Sequence, residues 1–262
     1  PNFNGTDAIT VTVNDNGNNP GPALTGADSI NITVGAVNDA PTVASVVVDA
    51  AEDGPAITGN FGGDDVDNDD SQASLTYTIT SGIFDPNNLT GFGGDFGAVV
   101  NNNNGSFSFY SGAGFQDLAQ GETKDVAFIY QATDSHGAVS NSGQVTVTVT
   151  GVNDAPTVAD VSSLDALPPE LVVTSTNEAR EDGDPVIVAF QGADVDSDNN
   201  RANLVYTILS SPSEGSIVNN NDGSFTFDPG SNFQDLGIDE TRDVSITYRA
   251  TDAHGVDSIE TA

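Results

Sequence analysis

The sequence predicts an all-β protein made of tandem seven-stranded antiparallel β-sandwiches in a linear array. Three observations lead to this fold class. Short apolar runs alternate with a period of two, and no segment of helical length carries an apolar stripe with a period of 3.6 residues. In addition, the chain contains a near-duplicate of itself, so that Asn38 recurs as Asn153, 115 positions later.

The alternation marks the strands of one unit. Four runs place apolar residues on a single face: Leu75, Tyr77 and Ile79; Phe107 and Phe109; Val126, Phe128 and Tyr130; Val145, Val147 and Val149. Further strands are expected at Val43–Val48, Ile57–Phe61 and Ala98–Asn101, which brings the count to seven. The Asn- and Gly-rich clusters Asn101–Gly105 and Asn219–Gly223 predict hairpin turns. Seven short strands in one unit are typical of an antiparallel sandwich.

The repeat divides the chain. Val37–Val43 recurs as Val152–Val158, and later motifs recur in the same order: Glu52-Asp53-Gly54 as Glu181-Asp182-Gly183, Asp65-Val66-Asp67 as Asp194-Val195-Asp196, Phe115–Leu118 as Phe233–Leu236, and Ala132-Thr133-Asp134 as Ala250-Thr251-Asp252. We therefore expect three segments: residues 1–36 as the C-terminal strands of a preceding repeat, 37–151 as a complete repeat, and 152–262 as a second repeat that lacks its last strand.

The charge excludes some partners and predicts another. There are 39 acidic and 5 basic residues, and the formal net charge is −34. Such a polyanion repels nucleic acid and anionic lipid, and no apolar run is long enough to insert into a membrane. The acids cluster in loops at fixed spacing, which favours bound cations over the scattered acidic surface of a halophilic protein. Without cysteine there are no disulfides, so bound metal is the expected substitute in small secreted domains.

The Asp-x-Asp pairs are candidate calcium ligands. On extended backbone, residues two apart face the same side, so Asp65 and Asp67, like Asp194 and Asp196, can aim two carboxylates at one ion. Calcium takes about six to eight oxygen ligands. A polar surface turn is the alternative for each pair taken alone. An EF-hand is excluded by Asp70 and Thr76 at the loop positions that need Gly and Glu.

Several motifs together resemble a family. Val-Asn-Asp-Ala-Pro between units resembles the cadherin linker; Gly192–Asp196 followed by Ala202–Ile208 resembles the cadherin Asp-x-Asp strand entry; and Tyr248–Gly255 resembles the late cadherin strand with a further Asp ligand. The overall resemblance is to bacterial cadherin-like tandem repeats of the VCBS and RTX-adhesin type. It implies an Ig/cadherin-like sandwich fold and Ca²⁺ held between successive domains.

The resemblance also implies the ligands. At the junction between the two main units they are Glu52, Asp117, Asn153, Asp154, Asp194, Asp196 and Asp252; at the preceding junction they are Asn38, Asp39, Asp65, Asp67 and Asp134; and Glu181 is the second unit's counterpart of Glu52. The chain departs from animal cadherins in two places. Ala36 and Gly151 replace the acid that opens the linker, and Gln-Asp-Leu stands near the place of Asp-Arg-Glu. About one or two ions per junction are therefore expected.

The favoured function is structural. Calcium-stabilised extender repeats would project adhesive domains of a secreted or cell-surface adhesin, or assemble a matrix fibre in a biofilm. The expected partners are neighbouring repeats and other copies of the chain. One alternative is a glycan- or protein-binding sandwich that uses Phe84, Phe92 and Phe96, which are expected to be exposed; another is a halophile's acidic surface-layer or filament protein. An enzyme is not expected, because His136 and His254 occupy the same turn in both repeats and no nucleophile motif accompanies them.

Overall fold

The computed structural model describes residues 5–17, 21–87, 95–160 and 179–258. An antiparallel hairpin, β1 (Gly5–Asn14) and β2 (Thr25–Val34), precedes the first unit. The strands of that unit are β3 (Thr42–Val43), β4 (Val46–Ala51), β5 (Ile57–Asn60), β6 (Gly63–Asp64), β7 (Thr76–Ile79), β8 (Ala98–Asn101), β9 (Ser106–Tyr110), β10 (Thr123–Thr133) and β11 (Gly143–Thr150), with a 3₁₀ turn at Ala113–Phe115.

The first unit is a sandwich of two main sheets. One has the order β4-β11-β10-β7 and the other has the order β5-β9-β8. The short strands β3 and β6 form a separate pair, and the Asp-x-Asp motif follows directly after β6. The predicted seven strands are thus β4, β5 and β7 to β11, and the predicted all-β sandwich is confirmed. One pairing differs from a purely antiparallel arrangement, because β4 runs parallel to β11. A parallel pair needs a long connection, and the rest of the unit supplies it.

Aromatic rings fill the space between the sheets. Phe61, fully buried, stacks on Tyr77 with ring centroids 4.7 Å apart, and Phe107 meets Phe128 edge to face at 5.2 Å. The hydroxyl of Tyr130 donates to Ala44 O at 2.6 Å and accepts from Gly62 N at 3.0 Å. Each buried ring thus packs well, and the buried hydroxyl is satisfied.

The second unit repeats this plan. Its strands are β12 (Thr157–Val158), β13 (Val186–Ala189), β14 (Gly192–Ala193), β15 (Val205–Ile208), β16 (Ser216–Asn219), β17 (Ser224–Asp228) and β18 (Tyr248–Thr251). They form the sheets β13-β17-β16, β15-β18 and β12-β14. Phe190 stacks on Tyr206 at 4.6 Å, as Phe61 does on Tyr77. The spacing of the repeated motifs grows from 115 residues at Asn38 and Asn153 to 129 at Glu52 and Glu181, which predicts an insertion near residues 162–177; that segment lies outside the described residues.

The outer side of β18 differs from its counterpart in the first unit. β10 pairs with β11 along that side, whereas no strand among the described residues pairs with β18 there. As a result Val244 and Ile246 are partly exposed, while the equivalent Val126 and Phe128 are fully buried. The domain boundaries, including the expected lack of a last strand in the second unit, stay a prediction.

The hairpin β1–β2 has one apolar face. Ile9 lies opposite Ile30, and their side chains are 52% and 55% exposed. The assignment of residues 1–36 to a preceding repeat stays a prediction. Across the described ranges, no helix is long and apolar enough to cross a membrane.

Candidate metal centre between the two units

Glu52 brings a carboxylate from the first unit to the linker. It follows directly on β4, and its backbone amide donates to Thr150 O, so its position is fixed by the β4–β11 pairing. Glu52 is only 4% exposed. Oε1 accepts a hydrogen bond from Val152 N at 2.6 Å, whereas Oε2 is buried and has no donor. One oxygen therefore anchors the linker and the other is left for a cation.

The linker residues tie this end of the first unit to the loops of the second. Asn153 Nδ2 donates to Asp252 Oδ2 at 2.8 Å, and Asp154 N donates to Asp196 Oδ2 at 3.0 Å. Asn153 Oδ1 and Asp154 Oδ2 remain buried without a donor. The linker thus uses its N–H groups to orient the neighbouring carboxylates and keeps its own side-chain oxygens free.

The Asp-x-Asp motif completes the group from the second unit. Asp196 N donates to Asp194 Oδ1 at 3.1 Å, which fixes the two side chains relative to each other. Asp196 is 2% exposed, and its Oδ1 has no donor; nor does Asp194 Oδ2. The motif stands directly after β14, where Gly192 is required because a Cβ there would lie 2.6 Å from the Tyr206 hydroxyl.

Carboxylate oxygens of Glu52, Asp154 and Asp196 lie within 4.8 Å of one another. A buried, charged oxygen without a hydrogen-bond donor is costly, and here three carboxylates from two units share one small volume. The donor set is all oxygen, which suits a hard cation. The residues present therefore fit a metal ion held between the units.

The electrostatics point the same way. Burial raises the pKa of Glu52, and the charges of Asp53, Asp154 and Asp196 raise it further. Burial likewise raises the pKa of Asp154 and of Asp196, with added repulsion from Asp194 in both cases. These shifts arise from burial and from the repulsion between neighbouring carboxylates, and a bound cation would oppose them.

The N-terminal end of the first unit carries the same arrangement. Asn38 Nδ2 donates to Asp134 Oδ2 at 2.9 Å, Asp39 N to Asp67 Oδ2 at 2.8 Å, and Asp67 N to Asp65 Oδ1 at 2.9 Å. These bonds match those of Asn153, Asp154 and Asp196 one for one. Asp65 Oδ2 is buried without a donor. The N-terminal ends of the two units are therefore built to one design.

The two late Asp residues are held as anions. The hydrogen bond from Asn38 lowers the pKa of Asp134. Burial raises the pKa of Asp252, but the hydrogen bonds from Asn153 and from backbone amides lower it by more. The pKa of Asp252 therefore lies below its ordinary value. In each turn the Asp Oδ1 also accepts the backbone N–H of the following His, so His136 and His254 belong to the turn architecture.

Two predicted ligands lie apart from these groups. The side chain of Asp117 is exposed, and its backbone carbonyl accepts from Ser197 N at 2.9 Å. Glu181 Oε2 is buried without a donor, at the second unit's equivalent of Glu52. Their role as ligands, like that of the whole set, stays a prediction.

The structure adds residues that the sequence reasoning missed. Asp70 is buried, and one of its oxygens lies within 4.8 Å of oxygens of Asp65 and Asp134. Asp53 raises the pKa of Glu52 and Asp154 by its charge. The recurrence of the Glu-Asp-Gly motif could have singled out Asp53, whereas Asp70 aligns with Asn199 and carried no comparable signal.

The expectation of an exposed aromatic patch is wrong for the two residues that can be tested. Phe96 is half-buried and packs on Phe115 with ring centroids 5.9 Å apart, beneath the ammonium group of Lys124. Phe84 is also half-buried and forms a backbone bridge with Ala127. Removing apolar surface from water is favourable, so both rings pack against the sandwich. Phe92 lies outside the described residues.

The fold and its carboxylate groups define a class, a tandem array of cadherin-like and Ig-like β-sandwich domains. Residues 38–151 match the family model of the bacterial cadherin-like domain, and residues 153–262 match that of the bacterial Ig domain. The predicted resemblance to bacterial cadherin-like repeats is thereby confirmed, and both matched families are structural domains rather than enzymes.

Among the similar solved structures, one reaches a TM-score of 0.50 and supports the fold. The extracellular domain of protocadherin GammaB4 is 19% identical with a TM-score of 0.50, over 97% of this chain and 38% of that chain. Mouse protocadherin-24 is 16% identical with a TM-score of 0.49, over 97% of this chain and 76% of that one. An endo-fucoidan hydrolase is 15% identical over 96% of this chain and 33% of that one, but its TM-score of 0.31 carries no argument. No curated protein matches the sequence significantly.

Proposed function

We propose that the two units are calcium-stabilised extender repeats of a large secreted or cell-surface adhesin or matrix fibre. The observation that carries this proposal is the shared group of Glu52, Asp154 and Asp196, whose oxygens come from both sides of the joint and lie within 4.8 Å of one another. We favour calcium because every available ligand atom is an oxygen. The ligands also come from loops, and calcium accepts the irregular coordination geometry that loops provide. The matched families support an extracellular, adhesion-type setting.

The mechanism is electrostatic. Without a cation, the clustered carboxylates repel one another across the short linker, and the linker lets the two sandwiches change their relative orientation. With calcium bound, the charge is neutralised and both units contribute ligands to one ion, so the joint becomes stiff. Because the ion binds the folded state, it also stabilises the fold by mass action, by roughly 2.7 kcal/mol at a free concentration about 100 times the dissociation constant.

Thermal unfolding tests the proposal. Melting is followed in excess calcium and in chelator, with sodium chloride added to match ionic strength. We expect a large rise in melting temperature that is specific to calcium. The variant Glu52→Gln should lose at least about half of that rise, because it removes one charge from the shared group.

The matched control is Glu181→Gln, the same substitution at the equivalent position of the second unit, which lies apart from the Glu52, Asp154 and Asp196 group. It should keep the calcium response of the joint. An equal rise with any salt would contradict the proposal and would favour the acidic surface of a halophilic protein instead.

A further inference from the structure

A second connection between the units lies beside the carboxylate group and uses no predicted ligand side chain. Ser197 follows the Asp-x-Asp motif of the second unit. Its Oγ donates to Glu122 Oε2 of the first unit at 2.9 Å, and its backbone N donates to Asp117 O, also at 2.9 Å. Two hydrogen bonds thus join a single residue of one unit to one loop of the other.

That loop, residues 117–122, is rigid in its own right. Glu122 N donates to Ala119 O at 2.8 Å, and Glu122 Oε2 accepts from Ala119 N at 3.1 Å, so the loop closes on its own glutamate. The buried residues Phe115 and Leu118 anchor its base in the core. The carboxylate therefore meets Ser197 in a fixed orientation.

The same loop is fastened to the start of the linker. Gly151 N donates to Glu122 O at 2.8 Å, and Gly121 N donates to Gly151 O at 3.1 Å. A Cβ at position 151 would lie 2.3 Å from Ala119 O, so only glycine fits against the loop. This contact explains physically why no acidic side chain opens the linker here.

We propose that residues 117–122 form a metal-independent latch, which binds Ser197 of the following unit and sets the angle of the joint. The ion and the latch have different tasks: the ion offsets the repulsion between carboxylates, whereas the latch selects one orientation through directional hydrogen bonds. The inference rests on the proposed function only in treating the chain as an array of joined units.

The second unit carries the same loop. Glu240 N donates to Gly237 O at 3.0 Å, and Glu240 Oε2 accepts from Gly237 N at 2.9 Å, which reproduces the closure by Glu122. The first unit offers Asn68 at the position of Ser197, and an Asn side chain is also a donor. The surface at residues 235–240 therefore fits the N-terminal face of another unit of this kind.

The test is a distance measurement by pulsed electron paramagnetic resonance. The chain has no cysteine, so Thr58→Cys and Ser216→Cys, both exposed strand residues, place one spin label on each unit. Distances are recorded in saturating calcium and in chelator for the doubly labelled parent and for the same protein carrying Ser197→Ala, Glu122→Ala or both. Calcium binding is measured in parallel by titration calorimetry.

We expect Ser197→Ala and Glu122→Ala to broaden or shift the distance distribution in calcium, with roughly fivefold more of the unlatched orientation, the ratio that an ordinary hydrogen bond supports. The double variant should resemble the single ones, because both changes break the same bond. Calcium affinity and stoichiometry should stay unchanged. Glu240→Ala is the matched control and should leave the distances as in the parent.

Distributions that superimpose for the parent, Ser197→Ala and Glu122→Ala would overturn the latch. A loss of bound calcium in Glu122→Ala would overturn it as well, because Glu122 would then be a metal ligand. If calcium fails to change the parent's distances, the proposed calcium joint is wrong, whereas the comparison between the parent and Ser197→Ala still decides on the latch.

Discussion

At the scale of single residues, the joint between the units combines three acids that resist ionisation. Burial and mutual repulsion raise the pKa of Glu52, Asp154 and Asp196. A raised pKa contributes stability to the ion-free fold that is fully present below the unfolded-state pKa of about 4 and is lost as pH rises through the folded-state value. The ion-free joint is therefore weakest when these acids are fully charged.

The raised pKa values predict how calcium affinity depends on pH. Protons compete with calcium for the same three carboxylates, so calcium affinity should fall with falling pH. The fall should begin above the range in which ordinary exposed carboxyl groups titrate, because these pKa values are raised. Titration calorimetry at a series of pH values measures it, and Glu52→Gln should flatten the dependence. Affinity that stays constant until about pH 4 would contradict the prediction.

Much of the candidate site was predictable at this scale, for a physical reason. Asp-x-Asp and Asn-Asp-Ala-Pro are local patterns, and the hydrogen bonds Asn153–Asp252 and Asp154–Asp196 show that they meet in space. Glu122 was missed because its role depends on which loops of the two units touch. Contacts of that kind are set by tertiary packing, which residue spacing does not encode.

At the scale of strands and sheets, the two units differ in how completely their aromatic residues are buried. Phe107 on β9 is fully buried between Phe61 and Phe128, whereas its counterpart Phe225 on β17 is only partly buried. The second unit has a smaller buried cluster because nothing in the described residues covers the outer side of β18.

We therefore expect unequal costs from equal substitutions. Phe107→Ala should destabilise the first unit by about 3–5 kcal/mol, and Phe225→Ala, the matched control, should cost clearly less because less apolar area leaves water there. Chemical denaturation of each variant measures both values. Equal losses would show that the two cores are equivalent and would contradict this description of the second unit.

The strands themselves were largely predictable. β5, β8 and β9 fall where strands were expected, and the predicted turns at Asn101–Gly105 and Asn219–Gly223 contain left-handed residues, with Asn103 at φ 57° and Asn221 at φ 58°. The parallel pairing of β4 with β11 was not predicted, because side-chain alternation carries no information on which distant strand becomes a neighbour.

At the scale of the whole molecule, some of the 39 acidic residues cluster at the ends of the units. The N-terminal end of the first unit reproduces the bonds found at the linker between the units, as the proposed array requires. In such an array the number of repeats would determine its length, and the joints between repeats would determine its stiffness.

Small-angle X-ray scattering in calcium and in chelator, at matched ionic strength, tests the central claim most directly. We expect a single extended particle of fixed maximum dimension in calcium, and a broader distribution of shorter dimensions in chelator as the joint opens. Glu52→Gln should give the chelator pattern at calcium concentrations that stiffen the parent, while Glu181→Gln should behave as the parent does. A rigid rod that persists unchanged in chelator would contradict the proposal that calcium holds the two units together.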